Sequence, residues 1–290
     1  MEEHVLVVTG QTASGKTAYA VRRAKESGAE IVSADSMQIY RPMDIGTAKA
    51  TVEERQGVPH HMIDVAEPDE SFSVARYQAM ANDCIKDILS RGRRVIVVGG
   101  TGLYISALIY NIRYPVIAGD PAYRERLRAA AREEGGAARL FDRLRAVDPQ
   151  AAQKLHENDE KRVIRALEVF ETTGRTISEF ARESRATPPE YRFEVVGLAV
   201  PRDELYDRIN RRVDDMLRRG LVDEARFLVG RYGRAGTAMQ AIGYKELVAY
   251  LDGRLSLAEA VEKIKTGTRR YAKRQSTWFR AIPEITWIDT

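Results

Sequence analysis

The chain has 290 residues, 44% hydrophobic and 30% charged, with a net charge of +4 and an isoelectric point near 9.1. That composition suits a packed globular protein of one large or two ordinary domains, and it excludes a disordered or fibrous chain. The single cysteine, Cys84, excludes an internal disulfide framework and reads as a buried, inert thiol among helix-forming residues.

Glu2 and Glu3 stand where a secretory signal would carry Lys or Arg. The longest apolar run, from Val95 to Tyr110, is broken by Gly99, Gly100 and Gly102. The expectation is a cytoplasmic protein that does not meet the membrane. Val5–Val8 reads as a buried parallel strand that runs into "GQTASGKT", Gly10 to Thr17, and then into a helix from about Lys16. The loop fits G-x-x-x-x-G-K-[ST] in its required context, a strand before and a helix after. Backbone N–H groups of Gly10, Gln11, Thr12, Ala13, Ser14 and Gly15, with the helix N-terminus, form an anion nest. Lys16 adds a cation, and the Thr17 hydroxyl suits Mg²⁺. Such a loop implies a bound di- or triphosphate without implying hydrolysis.

"EIVSADS" is a second short strand ending at Asp35, which can serve as a Mg²⁺ ligand, a general base or a helix N-cap. His60 and His61 are adjacent and lack a further ligand at zinc spacing, so packing or a backbone hydrogen bond is expected of them. A third strand centred on Val95–Val98 ends in "GGTGLY", where Thr101 either points inward to an anionic leaving group or belongs to a simple tight turn. Short apolar strands alternating with helices predict an α/β parallel sheet, with ligands collected at the carboxyl ends of its strands.

From Ala118 the composition changes to Arg/Glu-rich helical pattern, opened by Asp120-Pro121, and a strand resumes at Phe193–Val200. The expected organisation is a P-loop NTPase-like core over 1–117 and 192–290, with a helical insertion over 118–191. "LYDRINRRVDDML" puts Arg208 and Arg212 on one helix face, either to clamp phosphate or to pair with Glu204 or Asp215. Lys263, Lys265, Arg269, Arg270, Lys273, Arg274 and Arg280 stand against Glu262 alone, with Tyr271, Trp278 and Phe279 among them. This segment is either a nucleic-acid surface or a solvated basic face. "EITWID" predicts a last strand.

The strongest strand carries no acid at its end and no guanine-reading Asn-Lys-x-Asp is visible, which argues against an ordinary ATPase or GTPase. Two rival readings remain: a small-molecule or nucleotide kinase with the insertion as a lid, and an RNA-binding protein gated by nucleotide.

The ordered set "GQTASGKT", "SADSMQIYRPMDIGTAK", "HHMID", "FSVARYQ", "GGTGLY", "RVIRALEVF", "LYDRINRRVDDML", "GLVDEA", "QAIGYKEL" and "YAKRQSTWFR" resembles the tRNA dimethylallyltransferases over nearly the whole chain. Gln11 and Ala50 depart from the proline often found at those positions in that family. The resemblance implies that the loop binds dimethylallyl diphosphate and that no nucleotide is hydrolysed. The exocyclic amine of the adenosine beside the anticodon attacks the prenyl group, with Asp35 as base or hydrogen-bond acceptor. Lys16, Mg²⁺ on Thr17, and Arg208 or Arg212 then stabilise pyrophosphate, and Thr101 donates to the bridging oxygen. It further implies that the tRNA anticodon stem-loop is met by Asp35, Ser36, Met37, Gln38 and Thr101, and by Tyr123, Arg124, Arg162 and Arg165 of the insertion. Gln240, Gly243, Tyr244, Lys245, Lys273, Arg274, Gln275, Trp278 and Arg280 complete the implied RNA surface. A monomer is the default expectation.

Overall fold

The computed structural model describes residues 4–112, 114, 120–184 and 187–289. The chain folds as two compact units, Met1–Ile109 with Glu190–Thr290, and Tyr110–Pro189. The boundary expected at 117/118 lies outside the described residues, as do Glu2 and Glu3.

The first unit holds six strands: β1 (His4–Gly10), β2 (Ala29–Ser33), β3 (His60–His61), β4 (Arg94–Gly99), β5 (Arg192–Ala199) and β6 (Ile285–Asp289). They form one parallel sheet in the order β3-β2-β4-β1-β5-β6. Five of these strands follow from apolar runs in the sequence. The two-residue β3 does not, because its register of Ile31 with His60 and Val32 with His61 is too short to leave a periodic pattern.

The apolar faces of β1, β2 and β4 meet α1 (Lys16–Ser27), where Val8, Ile31 and Ile96 pack against Ala20, Val21 and Ala24. Between strands come α2 (Val52–Arg55), α3 (Val74–Ser90) and α4 (Gly102–Ile109). Tyr77 of α3 and Tyr104 of α4 stack with ring centroids 3.9 Å apart. The chain leaves β1 toward β2 and leaves β4 in the direction of β5, so neighbouring β1 and β4 send their following connections to opposite sides. Such a switch point opens a crevice at the strands' carboxyl ends.

The second unit is helical: α5 (Pro121–Arg132), α6 (Gly136–Val147), α7 (Pro149–Ala152), α8 (Glu160–Thr173) and α9 (Ile177–Ser184). Asp120 caps α5 by accepting from Tyr123 N at 2.9 Å, with Pro121 at the first helical position. Tyr123, Leu127, Leu140, Leu144, Val163 and Leu167 form its core.

Back in the first unit, α10 (Arg202–Arg218), α11 (Leu221–Tyr232), α12 (Tyr244–Leu251) and α13 (Leu257–Arg280) follow β5. Among the described residues no helix is long and apolar enough to cross a membrane.

Candidate active site at the carboxyl ends of the strands

The loop after β1 turns through Ala13 at φ +64° and Gly15 at φ +86°, conformations that aim successive amides into one concavity. Gly15 precedes α1 with no side-chain cap, leaving the helix's first N–H groups to a ligand. Among the described residues the buried Ser14 hydroxyl has no hydrogen-bond partner, and the Lys16 ammonium hydrogen-bonds the Gln11 carbonyl, 3.2 Å away, alone. Burial lowers the Lys16 pKa to about 8; Asp35 opposes that shift and Arg212 adds to it.

Asp35 follows β2. Its Oδ1 accepts from Met37 N at 2.9 Å and from Gln38 N at 3.4 Å, while no group among the described residues hydrogen-bonds Oδ2. The helix N-cap reading of Asp35 does not hold, because a turn and not a helix follows it; Oδ1 fixes that turn, and Asp35 lines the cleft. Lys16, Thr17, Asp35, His60 and Arg212 line the same small cavity. A neighbouring cavity of about 330 Å³ is lined by Asp35 and Arg212 on one side and by Ile209, Val213, Met216 and Leu221 on another.

The two candidate arginines separate. Arg208 pairs with Glu204 at 2.6 Å, one turn earlier on α10. Arg212 enters the cleft, where burial holds its guanidinium below the ordinary value. Asp215, the other partner considered, pairs with Arg218.

Thr101 stands at the turn after β4, beside the Asp35 turn. Its Oγ1 accepts from Ser36 N at 2.9 Å and donates to Ser36 Oγ at 3.2 Å, tying the turn after β4 to the Asp35 turn. Gln275 is 5% exposed: Oε1 accepts from Thr12 N at 2.8 Å and Nε2 donates to the Gly100 carbonyl at 2.9 Å. It braces the two glycine loops. A Cβ at Gly100 would strike Gln275 Nε2, so a side chain there would displace this amide.

Tyr244 is also internal, with its hydroxyl donating to Glu224 at 2.6 Å. Trp278 is 41% exposed and donates from Nε1 to Ser106 Oγ at 3.1 Å, while Lys273, Arg274 and Arg280 lie exposed along α13. Gln240 and Lys245 are exposed, and Gly243 is buried at the start of α12.

In the helical unit Tyr123 is a core residue whose hydroxyl accepts from Arg143 at 3.0 Å. Arg124 and Arg165 bind Glu168. Arg162 is exposed at a cavity of about 690 Å³ that also carries Lys154, Lys161 and Arg182 on its lining.

Both histidines make the hydrogen bonds expected of packing residues. His60 Nδ1 lies 2.8 Å from the Val58 carbonyl, and His61 Nε2 lies 2.7 Å from Glu30. Sequence reasoning missed that His60 Nε2 is buried, unpartnered and on the cleft lining; adjacency to His61 was the only visible signal, and it pointed nowhere. Cys84 is half-buried on α3, and burial with Asp83 and Asp87 raises its thiol, so nothing activates it.

A parallel sheet whose switch point carries a P-loop, uncompensated cations and a facing carboxylate defines an enzyme that handles a phosphorylated substrate. The chain belongs to the IPP transferase family, whose description its residues 38–282 match. It is 52% identical to a tRNA dimethylallyltransferase of Caldanaerobacter subterraneus subsp. tengcongensis, over 99% of this chain and 92% of that protein. It is 47% identical to one of Bacillus subtilis, over 99% and 91%. The full-length tRNA isopentenylpyrophosphate transferase of Bacillus halodurans superposes with a TM-score of 0.73 at 48% identity, covering 100% of this chain and 90% of that one. A eukaryotic dimethylallyltransferase acting on tRNA superposes with a TM-score of 0.84 at 31% identity, covering 99% and 74%.

Proposed function

We infer that this chain transfers a dimethylallyl group from dimethylallyl diphosphate to the exocyclic amine of the adenosine 3′-adjacent to the anticodon, in tRNAs reading codons that begin with U. The observation that carries the reading is Asp35, whose Oδ2 has no hydrogen bond among the described residues, in the same cavity as the Lys16 ammonium and Arg212.

The adenine amine is a weak nucleophile, since its lone pair is delocalised into the ring. It attacks the first carbon of the prenyl group, the carbon–oxygen bond to diphosphate breaks, and Asp35 Oδ2 takes the amine proton. A positioned base contributes roughly 10²- to 10⁴-fold. The loop amides, Lys16 and Arg212 take up the charge of the departing pyrophosphate. The apolar side of the neighbouring cavity, with Ile209, Val213 and Met216, suits the five-carbon chain.

Among the described residues no three His, Cys, Asp or Glu side chains gather as metal ligands. A hydroxyl at Thr17 and diphosphate oxygens are hard donors that fit Mg²⁺ held largely by substrate and water. When bound there, Mg²⁺ would neutralise developing diphosphate charge. The tRNA anticodon stem-loop is read as lying against Met37 and Gln38, the exposed cations of α13, and Arg162 in the helical unit. Holding the adenine out of its stack costs a few kcal/mol, which those contacts must offset.

The test supplies purified protein and Mg²⁺ with unmodified tRNA, and either labelled dimethylallyl diphosphate or γ-labelled ATP. Prenyl label entering RNA, and lost when that adenosine is replaced by guanosine, is the expected result. Label moving only from ATP would restore the kinase reading.

A further inference from the structure

Glu224, in the first turn of α11, has no hydrogen bond or ion pair to the P-loop or Asp35 among the described residues, and yet holds a segment that lines the same cavity as Asp35. Three consecutive amides converge on its carboxylate: Asp44 N and Ile45 N on Oε2 at 2.9 and 2.8 Å, and Gly46 N on Oε1 at 3.0 Å. The Tyr244 hydroxyl adds a fourth bond at 2.6 Å. Burial, and Glu224 itself, hold the Tyr244 phenol far above its ordinary value, so it remains a donor. Gly46 approaches the Tyr244 ring so closely that a Cβ would lie 2.5 Å from Cζ.

The segment held this way continues as Gly46, Thr47 and Ala48, which line the Asp35 cavity. Thr47 and Ala48 also line the smaller cavity with Lys16 and Arg212. From within, Gln38 Nε2 donates to the Thr47 and Ala48 carbonyls at 3.3 and 3.4 Å, and its backbone N–H reaches Asp35 Oδ1. Lys49, 3% exposed at its side chain, binds Asp44 and Asp64 at 2.6 Å each. Ala48 sits at φ +50°, a conformation an alanine keeps only when its surroundings fix it. The Gln38 and Lys49 ties all lie between Ser33 and Asp64, so they preserve the segment's internal shape. Glu224 ties that segment to the α11–α12 scaffold instead.

We propose that Glu224, with Tyr244 as its partner, is a positioning residue that sets the distance between the Gly46–Ala48 wall and Asp35, and thereby the alignment of the acceptor amine with the donor carbon. This rests on the prenyl-transfer reading. A charged acceptor taking four hydrogen bonds is not replaceable by an amide, because Glu224→Gln turns an NH₂ toward two donors whichever way it lies. Reactant alignment is sensitive to displacement: an error of about 1 Å costs on the order of a hundredfold in rate.

The test is the single-turnover prenylation rate at saturating donor and tRNA, with KM for each substrate and a thermal melt, for wild type, Glu224→Gln and Tyr244→Phe. The expected result is a chemical step slower by roughly 10- to 100-fold for Glu224→Gln and by a few fold for Tyr244→Phe. KM for dimethylallyl diphosphate should stay within about threefold, because Lys16 and the loop amides are untouched. A folded Glu224→Gln enzyme with an unchanged chemical step, or a loss that only follows the unfolded fraction, overturns the proposal. Should Glu224→Gln fail to fold, Tyr244→Phe carries the same comparison, and an unchanged rate there is equally decisive. A wild type that prenylates no RNA would instead defeat the reading on which the proposal rests.

Discussion

On α8, Glu168 accepts from Arg124 at 2.7 Å, from Arg165 at 2.6 Å and from Asp120 N at 2.9 Å, and its side chain has no exposure. At the carboxyl ends of β1 and β2, Asp35 also stands with two cations, Lys16 and Arg212, but among the described residues neither cation has an ion-pair partner. Both clusters contain one carboxylate and two cations. In the first, charge is settled by the protein, and burial of Glu168 is outweighed by the arginine hydrogen bonds that keep its carboxyl below the ordinary value. In the second, burial outweighs the pull of Asp35 on both cations, the balance expected of a site that takes a substrate anion.

The contrast is open to direct attack, and the largest effect belongs to Asp35. Asp35→Asn keeps an oxygen for Met37 N but removes the base, so the prenylation rate should fall roughly 10²- to 10⁴-fold with tRNA affinity changed by only a few fold. Near-normal turnover would dismiss Asp35 as base. Next, Arg212→Ala should cost about a hundredfold in rate, close to 3 kcal/mol, whereas Arg208→Ala should cost little because its charge is spent on Glu204. Equal losses in the two variants, measured as kcat/KM, would erase the distinction drawn between them. The settled cluster should answer in stability: Glu168→Ala strips three hydrogen bonds from a carboxylate, but the arginines are about a third exposed and can rehydrate. A loss of about 1.5–3 kcal/mol in denaturant unfolding is expected, with the prenyl-transfer step of folded enzyme little changed.

The smallest effect is a proton. Lys16 is lowered from 10.5 to about 8 in the free protein, so between those values the unfolded chain binds more protons and this group makes stability rise with pH. Diphosphate binding favours the charged ammonium and reverses the shift. Calorimetry of pyrophosphate binding in two buffers should show extra proton uptake at pH 8.5 relative to Lys16→Met, fading to none at pH 6.5. Identical uptake by both proteins would mean that Lys16 does not meet the anion.

How far the sequence disclosed these clusters depended on separation along the chain. Gly10–Thr17 and Asp35 were legible because the loop's geometry is written in contiguous residues and because the carboxylate closes its own strand. Arg208 and Arg212 were not separable, since i and i+4 positions share a face and only the partner, Glu204 or the cleft, tells them apart. Thr101 was placed at the right turn, but the bond that Ser36 N, sixty-five positions away, gives its hydroxyl leaves no local trace. Glu224 reaches amides 178 to 180 positions away and Gln275 one 263 positions away; no local pattern could reveal either.

The span between Thr12 and Gln275 has a further consequence, for synthesis. The strand before the glycine loop waits for β5, and the loop itself is synthesised 263 positions ahead of its final brace, Gln275. A nascent chain shorter than that carries the recognisable motif without the finished cradle. Contacts of such long range form late in folding. The cradle should therefore be completed only once α13 has emerged, rather than growing with each strand added.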